Sequence, residues 1–551
     1  MHETPPPPDA AANPLKALRR PPSTAFLDEF PALSAEAKRA RVAANLAALE
    51  EDLWSERLVF RSRPRTADVQ FSNYCNMACT MCYPDGNPPL QVMPEPLLRQ
   101  LARDLFPDLA VVEPFAGSEP LVFTWELTRR VAERFAIQLE IVTNAQFLDE
   151  PRFRELEPLV SGIRLSVDSH LPDVYAKIRL KSRPDVVFRN LAGAARLCRD
   201  HSIEAMVNVV FMAENAPHLD ETVAAFADLG IPKINLLQYH YFDERGAASD
   251  PCRVLSRTQI DDLLARIRAV AREKRIAVFF DLDPKETVDF RPPDVAYRPN
   301  LRNDEWFLRF RRFFPGYCLQ SIDRVKVQAD GNVYPCCMGG GDQLVLGNLN
   351  QKSFEEIWNG PESQDLRRGM LTQDLPSLCR GCSFVSGFLL PEQERMVFLD
   401  SFATDERLDF VELPDAPPFE LLAPAHLERR ESAPTFRWSA PPFRADRLVV
   451  ELAAGGEVQP INARFELSGD ATSFTVPDDA WLRLRGNLGY WWCVFAIDER
   501  GRRCARARTA RCLVRHQPIP RVVGSDLYHA DRALYSFSGF SGAAPSAPRA
   551  P

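Results

Sequence analysis

Between about residues 65 and 282, short apolar runs alternate with amphipathic stretches. Runs at 67–71, 111–115, 139–143, 163–167, 205–211 and 233–238 read as strands, with another at 276–280. Between them, 97–106, 125–134, 187–199 and 219–229 carry apolar residues at three- and four-residue spacing and read as helices packed on one face. Such alternation predicts a parallel sheet built from βαβ units. Six or so units close most of a TIM-like barrel, in which chemistry sits at the carboxyl ends of the strands. Upstream, Ala37, Val42, Leu46, Leu49 and Leu53 recur at helical spacing behind Ser34, a candidate N-cap, and predict a helix that packs on this domain.

Beyond residue 300 the pattern changes. A strand-like run at 324–328 leads into Asp330-Gly331-Asn, a hairpin turn signal, and 353–359 is helix-like. From about 419 to 516 short strands crowd together, at 435–438, 447–452, 464–467, 473–476, 490–497 and 508–514, a spacing that predicts a sandwich. The expected fold class is α/β: a partial (β/α)6 TIM-like barrel, a small α+β domain and a C-terminal all-β sandwich. The expected division is a disordered lead (1–33), a helical extension (34–64), the barrel (65–300), the small domain (301–390), a linker (391–418), the sandwich (419–516) and a disordered tail (517–551).

A net charge of -8 offers no global electrostatic reason to expect nucleic acid or an anionic membrane as partner. No stretch approaches the ~20 apolar residues of a membrane span, and the N-terminus lacks the apolar core of a signal peptide. The expectation is a cytoplasmic protein. Thirteen cysteines fall largely in clusters whose spacings suit metal binding in a reducing compartment better than disulfides.

Directly after the first predicted strand comes Cys75-Asn-Met-Ala-Cys79-Thr-Met-Cys82. A cubane 4Fe-4S cluster has four irons, so three thiolates leave one iron open. Soft thiolates suit Fe–S clusters, and an open position is where a metal site does chemistry. On spacing alone, a zinc site completed by a distant ligand and an ordinary electron-transfer cluster stay open as readings.

The stretch resembles the signature of the radical S-adenosylmethionine (SAM) family, with Met81 in the apolar place before the third cysteine. The resemblance implies that the amino and carboxylate groups of SAM chelate the open iron. It also implies that an electron from the cluster cleaves SAM to methionine and a 5′-deoxyadenosyl radical. Later strand ends are similar to the family's motifs in turn. Gly117-Ser118-Glu119-Pro resembles Gly-Gly-Glu-Pro, which receives the methionine amino group, with Ser118 in the second glycine place. Thr143-Asn144-Ala145 resembles Thr-Asn-Gly, and Ser166-Val-Asp168-Ser resembles the Ser-x-Asp-Gly pattern near the SAM ribose and carboxylate. Tyr175-Ala-Lys-Ile-Arg179 resembles Tyr-x-x-Ile-Arg, which implies a pairing of Arg179 with the SAM carboxylate; Asn208 is a weaker candidate for the same site. One motif per successive strand end argues against coincidence.

A second cysteine set follows: Cys318, then Gly331-x4-Cys336, and later Cys379-Arg-Gly-Cys382. With Gly347-Asn-Leu ahead of Ile357-Trp-Asn, it resembles the auxiliary-cluster pattern of SPASM and twitch extensions. A full SPASM domain carries seven cysteines for two clusters, whereas here none follows Cys382 until Cys493. The resemblance therefore implies one auxiliary 4Fe-4S cluster on Cys318, Cys336, Cys379 and Cys382, serving electron transfer. Cys336 is preferred to Cys337 because it completes the Gly331-x4-Cys spacing and successive strand residues face opposite ways. Four cysteines are also a zinc signature.

The tail resembles a fibronectin type III domain through Trp438, Leu484 before Tyr490, and a hairpin closing over 496–501. The expected activity is hydrogen-atom abstraction from a substrate C–H bond, with a reducing donor such as flavodoxin or ferredoxin. The substrate is a peptide or protein, or else a small sugar-like molecule that is dehydrogenated or epimerised. A non-catalytic Fe–S redox or scaffold protein is the reading from another class. His240, Asp281 and Asp283 lie at later strand ends and read more readily as structural than as proton-transfer groups.

Overall fold

The structure, a computed structural model, describes residues 21–82, 90–114, 117–239, 248–280, 297, 301, 318–337, 339, 343–372, 374–380, 419–425, 428–454, 463–484, 489–497, 503–507 and 511–515. After an N-terminal helix α1 (Ala35–Trp54), seven strands pair in chain order: β1 (Thr66–Val69), β2 (Val111–Glu113), β3 (Gln138–Thr143), β4 (Val160–Ser166), β5 (Glu204–Phe211), β6 (Lys233–Gln238) and β7 (Ala277–Phe280). Every pairing among them is parallel. Helices α2 (Glu95–Asp104), α3 (Trp125–Phe135), α4 (Glu150–Leu156), α5 (Pro172–Ile178), α6 (Pro184–Asp200), α7 (Leu219–Asp228) and α8 (Arg257–Lys274) lie between the strands. Each strand falls on one of the predicted runs.

Alternation along the strands explains the two faces. In β5, Ala205, Val207, Val209 and Phe211 are buried while Met206, Asn208 and Val210 are only half-buried. A period of two sends one set of apolar side chains to the helices and leaves polar residues among those of the other face. That second face carries Asp68, Glu113, Glu140, Arg164, Ser166 and Asn208, linked across the sheet by registers such as Asp68↔Glu113 and Ser166↔Asn208.

The chain is ordered earlier than the expected lead of 1–33. Ala25–Glu29 forms a 3-10 turn whose Phe26 and Leu27 are buried, and Glu29 and Asp28 pair with Arg99 and Arg130. Apolar burial so close to the helix offsets the ordering entropy that the proline-rich composition suggested would win. In α1, Ser34 caps by accepting from the Ala37 amide at 3.1 Å. Val42, Leu49 and Leu53 are buried as the spacing predicts, and so, unexpectedly, is Lys38. Its Nζ donates to the carbonyls of Phe106, Pro107 and Leu109 at 3.1, 2.9 and 2.7 Å, although burial lowers its pKa to about 7. Lys38→Met is expected to orphan all three carbonyls and to destabilise the domain by on the order of 3 kcal/mol, read as a fall in thermal midpoint; an unchanged midpoint would show that α1 docks without this contact.

The second cysteine region is grafted onto the barrel sheet. Strand β8 (Arg324–Val327) pairs parallel with β1 from Thr66↔Arg324 to Val69↔Val327, and β9 (Asn332–Tyr334) and β10 (Gly347–Asn348) follow antiparallel. One ten-stranded sheet results. Gly331, at φ +90°, makes the predicted turn. Arg65 and Asp323 form a buried ion pair at 2.6 Å beside the β1–β8 seam. Helices α9 (Phe354–Trp358) and α10 (Pro361–Thr372) clamp residues 58–62: Trp358 Nε1 donates to the Ser62 carbonyl at 2.8 Å, and the Arg367 guanidinium donates to the Leu58 carbonyl while stacking on Phe60 and Trp358.

The tail holds β11 (Leu421–Ala423), β12 (Glu428–Arg430), β13 (Thr435–Trp438), β14 (Arg447–Ala454), β15 (Ala463–Ser468), β16 (Ser473–Thr475), β17 (Gly489–Ile497), β18 (Arg503–Arg506) and β19 (Arg511–Arg515). They form two sheets, β11-β13-β16 and β12-β19-β17-β14-β15, with β18 on β17. Phe436 of one and Trp492 of the other meet at 4.4 Å, so the apolar faces pack on each other. The expected linker at 391–418, the hairpin tip at 498–502 and the tail beyond 515 lie outside the described residues. Among the described residues, no helix is long and apolar enough to cross a membrane.

Candidate active site and cluster cradles

The cysteine loop leaves the carboxyl end of β1 and is stapled across the barrel mouth. Ala78 and Cys79 pair antiparallel with Leu180 and Arg179, and the Thr80 amide donates to the Ile178 carbonyl at 3.0 Å. This ladder sets Arg179 opposite Cys79. The guanidinium Nη1 reaches Cys79 Sγ at 3.8 Å, and Nε donates to Asp168 Oδ2 at 2.5 Å. Burial opposes the charge of Arg179, but Asp168, then Cys79, outweigh it and hold the group well above its ordinary pKa. A hydrogen bond from Cys82, aided by Arg179, pulls the Cys79 thiol down to about 7, and Cys82 as the donor is pushed up. Burial pushes Cys75 up to about 11. Among the described residues, no three of His, Cys, Asp and Glu gather closely enough for a single metal ion.

The next strand ends converge on the same place. Gly117 sits at φ +85°, where a β-carbon is strained. Beyond it Glu119 is buried, with its amide on the Tyr74 carbonyl at 2.9 Å. Glu119 Oε1 accepts from the Thr143 hydroxyl at 2.8 Å and Oε2 from the Asn144 amide at 2.8 Å. Burial nevertheless raises its pKa to about 7. Asn144 Nδ2 donates to Asn76 Oδ1 at 2.9 Å, tying the third strand end to the cysteine loop. Ala145, in the glycine place of its motif, takes φ +63°, and Asn190 donates to its carbonyl at 2.9 Å.

Ser118 is buried, and Ser166 ends β4 half-buried beside Asn208. Asp168 is fully buried, accepts from the Val210 amide at 2.9 Å, and holds its main chain through Asn215. Arg179, expected to pair with the SAM carboxylate, has its Nε and Nη2 engaged by Asp168. Met81 packs with Ile178, Met212 and Tyr239. Buried Asn76 Nδ2, Asn208 Oδ1 and Tyr175 Oη have no hydrogen-bond partner. Such orphans carry a free-energy cost that a polar ligand relieves. Three sulfur donors on one loop beside unpartnered amide and hydroxyl groups suit a thiolate-held cluster with a zwitterionic ligand. Asn76 and Tyr175 were within motifs already quoted, so their place there was the available signal.

Of the second set, Cys318 and Cys379 are buried and Cys336 half-buried; Cys382, like His240, Asp281 and Asp283, lies outside the described residues. A charged layer that periodicity did not reveal lines the same sheet face. Arg324 pairs with Asp68 and, at 2.7 Å, with Glu113, and Arg164 pairs with Glu140 at 2.8 Å. Burial pushes Asp68 up to about 6, while Arg324 and Arg164 overcome burial to hold Glu113 well below the carboxylate range.

Residues 69–225 match the radical SAM superfamily model, and residues 318–383 match that of the SPASM iron–sulfur cluster-binding domain. The chain thus carries both domains and is a radical SAM enzyme whose cofactors are 4Fe-4S clusters and SAM. It is 27% identical over 273 residues to the PqqA peptide cyclase of Gluconobacter oxydans (strain 621H), covering 49% of this chain and 68% of that protein. Among solved structures, SAM-bound SuiB of Streptococcus suis aligns at TM-score 0.40 and 16% identity over 59% of this chain and 71% of SuiB. The SAM-bound anSMEcpe aligns at TM-score 0.42 and 16% identity over 59% of this chain and 85% of that one.

Proposed function

We propose that this enzyme modifies a peptide or protein at an unactivated C–H bond, in the cytoplasm, using one auxiliary cluster and a flavodoxin- or ferredoxin-type donor. The observation that carries the reading is the ladder that places Cys79 against Arg179 while Glu119, Thr143 and Asn144 close around the same strand ends. Cys75, Cys79 and Cys82 hold the SAM-binding cluster, and Cys318, Cys336, Cys379 and Cys382 the auxiliary one. Bound there, cluster and SAM supply a 5′-deoxyadenosyl radical that takes a hydrogen atom from the substrate. Gly117, Ser118 and Glu119 receive the SAM ammonium; Asn144, Ser166 and Asp168 line the polar remainder; Met81 shields the cluster. Arg179 acts by fixing Asp168 and facing the Cys79 sulfur. The similarity to a peptide cyclase supports a peptide substrate. The sheet order of the tail, three strands on one side and five in line on the other, supports a fibronectin type III-like reading.

The test is the full chain, reconstituted anaerobically, given SAM and dithionite with each short peptide encoded beside its gene. Release of 5′-deoxyadenosine with a mass change in one peptide is expected. Release of none, with or without peptide, would overturn the reading. Glu119 adds a pH dependence. Its folded pKa of about 7 exceeds the unfolded value, so its carboxylate is lost as pH falls through 7. SAM affinity should therefore weaken as pH drops from 8 to 6, by up to about tenfold per unit below 7, and Glu119→Gln should flatten the profile in equilibrium dialysis.

A further inference from the structure

On the helices around the barrel, exposed arginines find an acid one turn away: Arg154 pairs with Glu150, Arg196 with Asp200 and Arg257 with Asp261. The strip stapled to the cysteine loop departs from this pattern. Lys177, Lys181 and Arg183 are exposed there, and among the described residues none of their side chains has an ion-pair partner. Residues 174–188 hold four basic residues against one acid, Asp185, in a chain whose net charge is -8. The fourth base, Arg179, is turned inward to Asp168.

The backbone presents the three cations outward. The Ser182 amide closes a turn on the Arg179 carbonyl at 3.1 Å. Within it Lys181 stands at φ +64°, a left-handed conformation that bulky side chains seldom take. The Arg183 amide donates to Gln146 Oε1 at 2.8 Å, which brings the loop after β3 alongside. The two segments contribute two exposed large apolar side chains, Leu180 at 47% and Phe147 at 40%. This surface is coupled directly to the cysteine loop: Leu180 pairs with Ala78, and Arg179 with Cys79, whose sulfur lies 3.8 Å from the guanidinium. Apolar side chains beside uncompensated charge of one sign suit a protein partner of the opposite sign. A peptide substrate has to reach the barrel interior, whereas an electron has only to reach the cysteine loop.

We propose that Lys177, Lys181 and Arg183, with Leu180 and Phe147, form the docking surface for an acidic one-electron carrier protein that delivers its electron at the Cys75–Cys82 loop. This rests on the radical SAM reading above and locates its donor. Each SAM cleaved takes one electron: the carrier is oxidised by one electron, and the C5′–S bond of SAM breaks to methionine and a 5′-deoxyadenosyl radical. Opposite charge steers the carrier in, an effect that salt screens. A small patch suits the weak encounters of electron transfer, which bury less than about 1,200 Å² in total.

The experiment uses the full chain, reconstituted anaerobically, with flavodoxin as the probe carrier. One variant reverses the patch: Lys177→Glu, Lys181→Glu and Arg183→Glu together. A control makes the same change of net charge at exposed arginines of other elements that have no ion-pair partner among the described residues, as Arg39→Glu, Arg437→Glu and Arg444→Glu together. A third variant combines Phe147→Ala with Leu180→Ala. Calorimetry with oxidised flavodoxin reads binding without turnover. Patch reversal should weaken binding by at least about tenfold at low salt and flatten its salt dependence. The control should bind as wild type does, and the apolar variant should bind several-fold more weakly with its salt dependence kept. Release of 5′-deoxyadenosine driven by reduced flavodoxin should fall in the same order, while release driven by dithionite should match wild type throughout. Absence of flavodoxin binding by wild type, binding untouched by patch reversal, or equal losses in patch and control variants would each overturn the proposal. So would a patch reversal that weakens only peptide binding, or one that lowers the dithionite-driven rate as much as the flavodoxin-driven one. No 5′-deoxyadenosine from wild type with dithionite would instead overturn the radical SAM reading, and this proposal with it.

Discussion

Replacing Cys79 with alanine is expected to abolish SAM cleavage while leaving the barrel folded. Cys79 contributes to the ladder through its main chain, which alanine keeps, so pairing with Arg179 survives. Its sulfur is what is lost, and with it the thiolate that Arg179 and Cys82 already favour. Loss of outer-shell partners of a metal site already costs ~10–100-fold, and loss of one of three thiolate ligands should cost more. Release of 5′-deoxyadenosine reads the effect, and iron should fall by about four per chain. Cys198→Ala is the control: this cysteine is equally buried but sits in α6, away from both sets, and its variant should keep full iron and cleavage. Equal losses in the two variants would mean that the effect is on folding and not on the cluster.

Arg179→Leu should be the most damaging change outside the cysteines. Arg179 and Asp168 are 9% and 0% exposed at their side chains, and removing the cation leaves a buried carboxylate whose remaining side-chain partner among the described residues is the Val210 amide. Breaking a buried pair costs ~3–5 kcal/mol because the remaining charge is uncompensated. For a domain of this size that is a fall in thermal midpoint of roughly 10 °C. Adding Asp168→Asn removes the stranded charge and should recover about half of the loss, in line with the asymmetry between breaking and deleting a buried pair. SAM cleavage should not recover, because the guanidinium that faced Cys79 is still absent. If the double variant recovers cleavage along with stability, Arg179 serves the fold alone.

What the sequence by itself determined follows from signals that are local. The period of two in 205–211 and the helical spacing of 187–199 mark β5 and α6 because each reports a neighbour one turn or one pleat away. Gly331 in its turn and Ser34 at its cap were legible for the same reason. The spacing of Cys75, Cys79 and Cys82 is likewise confined to one loop, and the domains that the family comparisons identify are the ones the two cysteine sets announced.

Tertiary structure decided which partners the side chains meet. Arg179 looked available to a ligand carboxylate, yet the fold delivers Asp168 to it and Cys79 from 100 residues away. Lys38 is buried only because the stretch after α2 supplies three carbonyls to its ammonium. Arg324 belongs with Asp68 only because β8 joins the free edge of β1, 256 residues away in sequence, an edge that barrel periodicity leaves unassigned. Periodicity encodes which face of an element is buried; the partner on that face is set by packing between segments far apart in the chain, and no local pattern carries it.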